Sequence, residues 1–139
     1  MILLLLSLVS AETLIADDLY RELSARDGVA SCEKLQESYS DLQDGLKSLV
    51  SNDIKPSYVP IRAATCLLEL YPEDLETYQA WMQKTEMLGL ARLTVSRLET
   101  LPITISVSLT ETALKGNNAL KLLPKLQKIS TPELSLIHI

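Results

Sequence analysis

Apolar residues follow helical spacing along the first part of the chain. Ile15, Leu19 and Leu23 recur every four residues, which is typical of one amphipathic helix, and Gly28 favours its end. A second apolar series alternates steps of three and four residues and predicts one helix with a continuous buried seam. Its members are Cys32, Leu35, Tyr39, Leu42, Leu46 and Leu49. Because a short turn joins the two segments, residues 12–53 are predicted to form an antiparallel helical hairpin that caps the fold.

A different pattern follows Pro102. Apolar residues alternate there with Thr and Ser, which is typical of a β-strand. The apolar members are Ile103, Ile105, Val107 and Leu109. However, the rest of this leucine-rich sequence offers no second strand pattern, and the run continues through Glu111 to Lys115 before Gly116. We therefore expect a helix over Pro102–Lys115, and a strand is the alternative.

Three prolines recur at a spacing of thirty residues, namely Pro72, Pro102 and Pro132. A segment with helical spacing precedes each of the first two, Ile61–Leu68 and Leu90–Leu98. A period in this range indicates stacked helical repeats, each of which buries its apolar face against its neighbours. The repeat is the strongest indication of architecture in the sequence.

The residues around these prolines resemble a HEAT-type α-helical repeat. The first unit is carried by Ile61, Arg62, Ala63, Ala64, Leu68 and Pro72, the second by Leu90, Ala91, Arg92, Leu98 and Pro102, and residues 118–124 begin a third. The resemblance covers residues 59–133 and implies an all-α fold, a HEAT-like α-solenoid of stacked antiparallel helix pairs. Proline is well tolerated at the start of each second helix. Pro124, which falls inside a predicted helix, is expected to kink or break it.

Both ends of the chain are expected to lie apart from the fold. Residues 1–11 form an apolar run that ends in small residues, which predicts a secretory signal peptide and export to a periplasm or the outside; a buried N-terminal helix is the alternative. Residues 134–139 match the translation of a transposon end used in preparing sequencing libraries. We interpret them as a sequencing-adapter artefact that ends a gene fragment, with an ordinary apolar tail as the alternative.

Residues 54–58, which contain Pro56, are predicted to be a stiff linker.

Composition and charge narrow the function classes. Apolar residues make up 47% of the chain, which excludes disorder. Because Phe is absent and Trp81 is the only tryptophan, leucines must fill the core, which favours helix packing. The net charge is −5, and residues 12–53 carry ten acidic against four basic side chains. An acidic chain without a basic stripe is a poor nucleic-acid binder, because most of the affinity for nucleic acid comes from basic side chains that neutralise its phosphates. No membrane span is expected in the mature chain.

Few residues are candidates for chemistry. The only histidine, His138, lies in the segment interpreted as an artefact, so we predict no catalytic, cofactor-binding or metal-ligating residue. Tyr78, Trp81 and Met82 fit either a helical core, which we favour, or a ligand platform. A group of lysines fits either a solvated helix face, which we favour, or a docking surface for an acidic partner. Its members are Lys115, Lys121, Lys125 and Lys128.

The two cysteines, Cys32 and Cys66, carry a sharper structural hypothesis. Paired thiols of exported proteins tend to be oxidised. Cys32 lies on the predicted seam and Cys66 in the next long helix, so antiparallel packing could bring them together into a disulfide. The alternative is two small buried thiols.

These patterns predict an exported, non-enzymatic helical-repeat scaffold that mediates protein–protein interaction, because stacked repeats present a long concave face. Its partner would be another protein. The alternative is the truncated N-terminal helical part of a larger extracytoplasmic enzyme or envelope-complex subunit. A third hypothesis is a small helical bundle acting as a carrier, with an apolar pocket lined by Trp81 and leucines.

Overall fold

The structure of the chain is a computed structural model that describes residues 18–25 and 31–128. Every regular element in these two ranges is helical, which confirms the all-α prediction. The α-helices are α1 (residues 18–24, as far as described), α2 (Cys32–Ser38), α3 (Leu42–Ser48), α4 (Tyr58–Leu70), α5 (Leu75–Gln83), α6 (Leu88–Ser96), α7 (Ile103–Lys115) and α8 (Ala119–Leu126). Short 3₁₀ turns occupy Thr85–Met87 and Leu98–Thr100.

The chain divides into two compact units, Met1–Leu70 and Tyr71–Ile139. The division falls inside the segment 59–133 to which the sequence assigns repeats. The hairpin, linker and repeat limits drawn from the sequence therefore stay predictions. The signal-peptide segment 1–11 and the segment 134–139 lie outside the described residues.

Helix α7 settles the ambiguous segment after Pro102. The residues Ile103–Lys115 form one α-helix, which confirms the helical prediction over the strand. The residues that α7 buries are Ser106, Leu109, Thr110 and Ala113, and their steps of three and four residues follow one helix face. Thr110 and Ser106 are compatible with the helix because the Thr110 hydroxyl donates to the Ser106 carbonyl at 2.8 Å.

The predicted single helix over Cys32–Leu49 is wrong, because the structure divides this segment into α2 and α3. Tyr39 ends α2 in an extended conformation with φ −126° and ψ 124°. After it, Ser40 and Asp41 form a turn, and Asp41 is the N-cap of α3. The seam nevertheless keeps its role, since its leucines are buried on both sides of the break. These are Leu35, Leu42, Leu46 and Leu49.

In the first unit, α4 is the central helix. It packs against both α2 and α3 and buries small and apolar residues there. Arg62 extends from α4 to the carboxyl end of α1, where its guanidinium donates to the carbonyls of Leu23 at 2.7 Å and Ala25 at 2.8 Å. The same guanidinium lies over the ring of Tyr58, 4.4 Å from its centroid, and the Tyr58 hydroxyl donates to the Ser24 carbonyl at 2.8 Å. Helix α4 thus supplies donors that the end of α1 cannot supply for itself.

In the second unit, α5 packs against α6 and α7, and α8 packs against α6 and α7 as well. The core between them is apolar, with Tyr78 and Trp81 as its aromatic members. Its other members include Met82, Leu90, Val95, Leu98, Leu109, Leu122 and Leu126. Fully burying a side chain of this size stabilises the fold by about 1.5–3 kcal/mol.

Buried polar side chains join elements of the second unit. Asn118, which is 1% exposed, precedes α8, and its amide donates to the Met82 carbonyl at 3.3 Å and the Lys84 carbonyl at 3.1 Å. Those carbonyls lie at the carboxyl end of α5, where the helix has no internal donors left. The Lys84 carbonyl also accepts from the Met87 amide of the following 3₁₀ turn at 3.0 Å. Ser106, which is fully buried, donates from its hydroxyl to the Leu98 carbonyl at 2.5 Å and so ties α7 to the preceding 3₁₀ turn.

The prolines of the repeat differ in their positions. Pro102 is the N-cap of α7, whereas Pro72 lies in the turn ahead of Asp74, the N-cap of α5. Pro132 falls outside the described residues. Pro124 lies within α8, which continues to Leu126, so the helix is not broken there, and the kink that was expected as the other outcome stays a prediction. The helix tolerates this proline because it is exposed and close to the carboxyl end, where one intrahelical hydrogen bond is lost.

Asn118→Ala is expected to destabilise the second unit by about 1–3 kcal/mol, because the carbonyl of the buried Met82 loses this donor and the Lys84 carbonyl keeps only the Met87 amide. Denaturant unfolding followed by the fluorescence of Trp81, the only tryptophan, measures the change. Asn117→Ala is the matched control, since Asn117 is exposed, and should stay within about 0.5 kcal/mol of the wild type. Equal effects of the two substitutions would show that the amide of Asn118 does not hold the end of α5.

Candidate functional site

A cleft of about 240 Å³ opens between α5 and α7. Polar and charged side chains from both helices line it, together with one glycine. The lining residues are Gln79, Gln83, Ser108, Glu111, Thr112, Lys115 and Gly116. The cleft is the candidate functional site because it concentrates hydrogen-bonding groups on one surface of the second unit.

Helical spacing places these side chains in rows. Gln79 and Gln83 are four residues apart on α5, and so are Ser108 and Thr112 on α7, which puts each pair on one helix face. A hydrogen bond joins the two helices across the cleft, since the Gln79 amide nitrogen donates to the Thr112 hydroxyl oxygen at 3.2 Å. That hydroxyl in turn donates to the Ser108 carbonyl at 2.9 Å. The chain of bonds fixes the orientation of Gln79.

Gly116, the C-cap of α7, lies beside the carboxyl end of α5. A β-carbon at this position would lie 3.2 Å from the Thr112 carbonyl oxygen and 3.5 Å from the Met82 carbonyl oxygen. The first distance is shorter than most β-carbon contacts, and backbone atoms cannot move away as a flexible side chain can. A residue without a side chain therefore suits the end of α7, whereas the distance to Met82 of α5 is an ordinary van der Waals contact.

The cleft carries one charge of each sign. Glu111 and Lys115 are both exposed and lie one turn apart on α7. Together with the amides and hydroxyls, they can donate and accept hydrogen bonds and pair with a ligand that has both charges. Within residues 18–25 and 31–128, no group of three or more His, Cys, Asp or Glu side chains is placed to hold a metal ion.

The aromatic candidates belong to the core. Tyr78 and Met82 are 0% exposed and Trp81 is 4% exposed, which confirms the core interpretation over the ligand platform. The rings of Tyr78 and Trp81 have centroids 5.1 Å apart and are tilted by 56°. Burial raises the pKa of Tyr78 above its usual value of 10, and the nearby Asp74 carboxylate raises it further by a smaller amount. Its hydroxyl donates to the Tyr71 carbonyl at 2.5 Å, so the neutral phenol has a partner.

The lysine group does not gather at one site. Lys115 lines the cleft on α7, whereas the other three lie on or just after α8. All four are exposed. This exposure agrees with the solvated helix face that we favour, and docking of an acidic partner stays the alternative. His138 lies outside the described residues.

Cys32 and Cys66 are joined in a disulfide that connects α2 with α4. Their sulfur atoms are 2.09 Å apart and their Cα atoms 5.4 Å apart. The Cα separation lies in the usual range for bonded cysteines. Oxidation of this pair in the natural protein stays a prediction.

Sequence reasoning missed the cleft residues on α5 and α7. Gln79, Gln83, Ser108 and Thr112 have the four-residue spacing that could have indicated two polar helix faces. The sequence does not show that these faces adjoin, because they belong to helices separated by α6. The alternation around Ser108 also drew attention to a strand pattern.

The disulfide is expected to be present in protein isolated from its native compartment, which non-reducing mass spectrometry measures as a mass with no free thiol. By loop-closure entropy, reduction should destabilise the first unit by roughly 3–4 kcal/mol. A double Cys32→Ala, Cys66→Ala variant is the control, since its thermal unfolding should not respond to reductant. Two free thiols in the native protein would contradict the prediction.

The raised pKa of Tyr78 predicts a loss of stability at alkaline pH. Below pH 10 the phenol is neutral in both states, whereas above pH 10 the unfolded chain loses the proton and the folded chain keeps it. The free energy of unfolding should therefore fall as the pH rises above 10. In Tyr78→Phe this fall should be shallower, and the lost hydrogen bond should cost about 1 kcal/mol at neutral pH. Identical slopes for both proteins, measured by denaturant unfolding, would contradict the account.

No helix in the described part of the chain is long and apolar enough to cross a bilayer. Comparison with protein-family models, with curated proteins and with solved structures finds no match to this chain.

Proposed function

We propose that this protein is an exported, non-enzymatic scaffold of stacked helix pairs, similar to HEAT-type repeats, that binds another protein through the cleft between α5 and α7. The contact pattern in the second unit carries the proposal. Helices α5 and α6 form one sequential pair, and α7 and α8 form the next. This pairing is shifted by one helix from the sequence pattern, which makes α5 and α7 the second helices of pairs that begin with α4 and α6. The proposal assigns α5 and α7 to one layer and α6 and α8 to the other.

The principal contacts support this assignment. Each pair packs internally, the two first helices pack together, and the two second helices pack together. Consecutive repeats of a helical solenoid contact one another in this way. In an up-down four-helix bundle, by contrast, α6 would adjoin α7 and α8 would adjoin α5. Those two pairs are not among the principal contacts of the described helices.

The cysteine pair supports the part of the proposal that concerns location. Disulfides form and persist in oxidising compartments, and thiols in the cytosol are kept reduced. Cys32 and Cys66 are placed for a disulfide across a sequence separation of 34. Together with the apolar segment 1–11, this favours a periplasmic or secreted protein.

The cleft supports the part that concerns binding. It lies between the two helices assigned to one layer, and solenoids commonly bind through a surface formed by a single layer. Its floor is fixed by the hydrogen bond between Gln79 and Thr112, so little ordering is required when a partner binds. Trp81 is buried in the core and is not among the residues that line this cleft, which gives no support to the apolar carrier hypothesis.

Site-specific photo-crosslinking in the native cell tests the proposal. A photoreactive residue in place of the exposed Gln83 should give a discrete adduct with one protein in the extracytoplasmic fraction. The matched control carries the same group in place of Ser96, an exposed residue of α6, and should not give that adduct. An adduct from neither position, or the same adduct from both, would contradict binding through the cleft.

A further inference from the structure

The geometry points to an extended polypeptide segment as the ligand of the α5–α7 cleft, bound mainly through its backbone amides. This inference rests on the proposed function, because it names the chemistry of the partner at the same cleft. It is carried by the types of lining side chain, by their spacing and by their charges.

The lining side chains match the hydrogen-bonding needs of a peptide backbone. Each peptide unit presents one N–H donor and one carbonyl acceptor, and both need partners once water is displaced. The amides of Gln79 and Gln83 and the hydroxyl of Ser108 both donate and accept, whereas the Thr112 hydroxyl, whose proton bonds to the Ser108 carbonyl, can only accept. The seven lining residues include no aromatic or large aliphatic side chain. An apolar ligand would therefore give no partner to the amide of Gln83 or to the groups of Gln79 that the bond to Thr112 leaves over.

The spacing of the rows matches an extended chain. Residues four apart on a helix are separated by about 6 Å along its axis, at about 1.5 Å per residue. An extended chain advances about 6.6 Å in two residues, at about 3.3 Å per residue. Gln79 and Gln83 on α5 can therefore bond to every second peptide unit of a segment that runs along the cleft. Glu111 and Lys115 on α7 have the same spacing on the opposite wall.

The charges and size of the cleft favour the same ligand. Glu111 and Lys115 have opposite signs, so a ligand with only negative charge, such as a phosphate ester, gains little net attraction. A peptide with a basic and an acidic residue at a two-residue spacing would pair with both and bind in one direction. The volume of about 240 Å³ is below the range of about 300–1,000 Å³ that encloses small ligands. A strand lying along the cleft needs no such enclosure.

Selection from a displayed library of random peptides tests the inference on the full chain. The peptides are about twelve residues long, or about 40 Å when extended, which exceeds the length of the rows. Enriched peptides should bind the wild type, and single N-methyl groups on the peptide backbone should weaken binding at alternate positions. N-methylation removes one backbone N–H and leaves the side chains unchanged. Weaker binding at every second position therefore shows that the protein recognises the peptide backbone.

Variants of the protein locate the binding. Gln83→Ala removes an exposed amide and should weaken the affinity of the enriched peptides about two- to tenfold. Ser108→Tyr fills the cleft and should weaken it at least about tenfold, whereas Ser96→Tyr adds the same side chain on α6 and should change nothing. Because Gln83 is exposed, Gln83→Ala keeps the test decisive even where Ser108→Tyr fails to fold.

Three outcomes would overturn the inference, namely no enriched peptide, equal affinity for wild type and Gln83→Ala, or tolerance of N-methyl groups at every position. The proposed function fails separately. If photo-crosslinking at Gln83 captures one protein while backbone methylation has no effect, the scaffold stands and its ligand is recognised by other chemistry. If peptides bind with the expected period while no native protein is captured, the cleft chemistry stands and the scaffold function does not.

Discussion

The carbonyl groups at the carboxyl end of an α-helix have no internal donors, and side chains from distant parts of the chain meet this need in both compact units. In the first unit, Arg62 donates to two carbonyls at the end of α1. In the second, the buried amide of Asn118 donates to Met82 and Lys84 at the end of α5. Each bond joins residues more than thirty positions apart, so each fixes tertiary structure as well as a helix end.

This constraint also shapes the cleft between α5 and α7. Asn118 holds the end of α5, and Gly116 at the end of α7 lies beside it, at one end of the cleft. The Gln79 and Thr112 side chains bond across the floor. Amides and hydroxyls that are not needed for the core therefore remain on an accessible surface, where a polar ligand can use them.

The sequence predicted helices where the apolar period was strong and failed where tertiary contacts decide. Helix α7 follows from its continuation through Lys115, despite a local strand pattern, because a lone strand has nothing to pair with. The break at Tyr39 was missed, since the leucine spacing continues across it. The role of Asn118 and the adjacency of α5 and α7 were not predictable, because nothing in a single sequence shows which distant helices pack together.

Hydrogen exchange of two side-chain amides, measured by NMR in the folded protein, tests the account most directly. Asn118 is 1% exposed and bonded to two carbonyls, so its amide protons should exchange slowly. Gln83 is exposed at the cleft, so its amide protons should exchange as fast as those of a free peptide. Comparable rates for the two side chains would contradict the account, because either the end of α5 would lack its buried donor or the cleft would be closed.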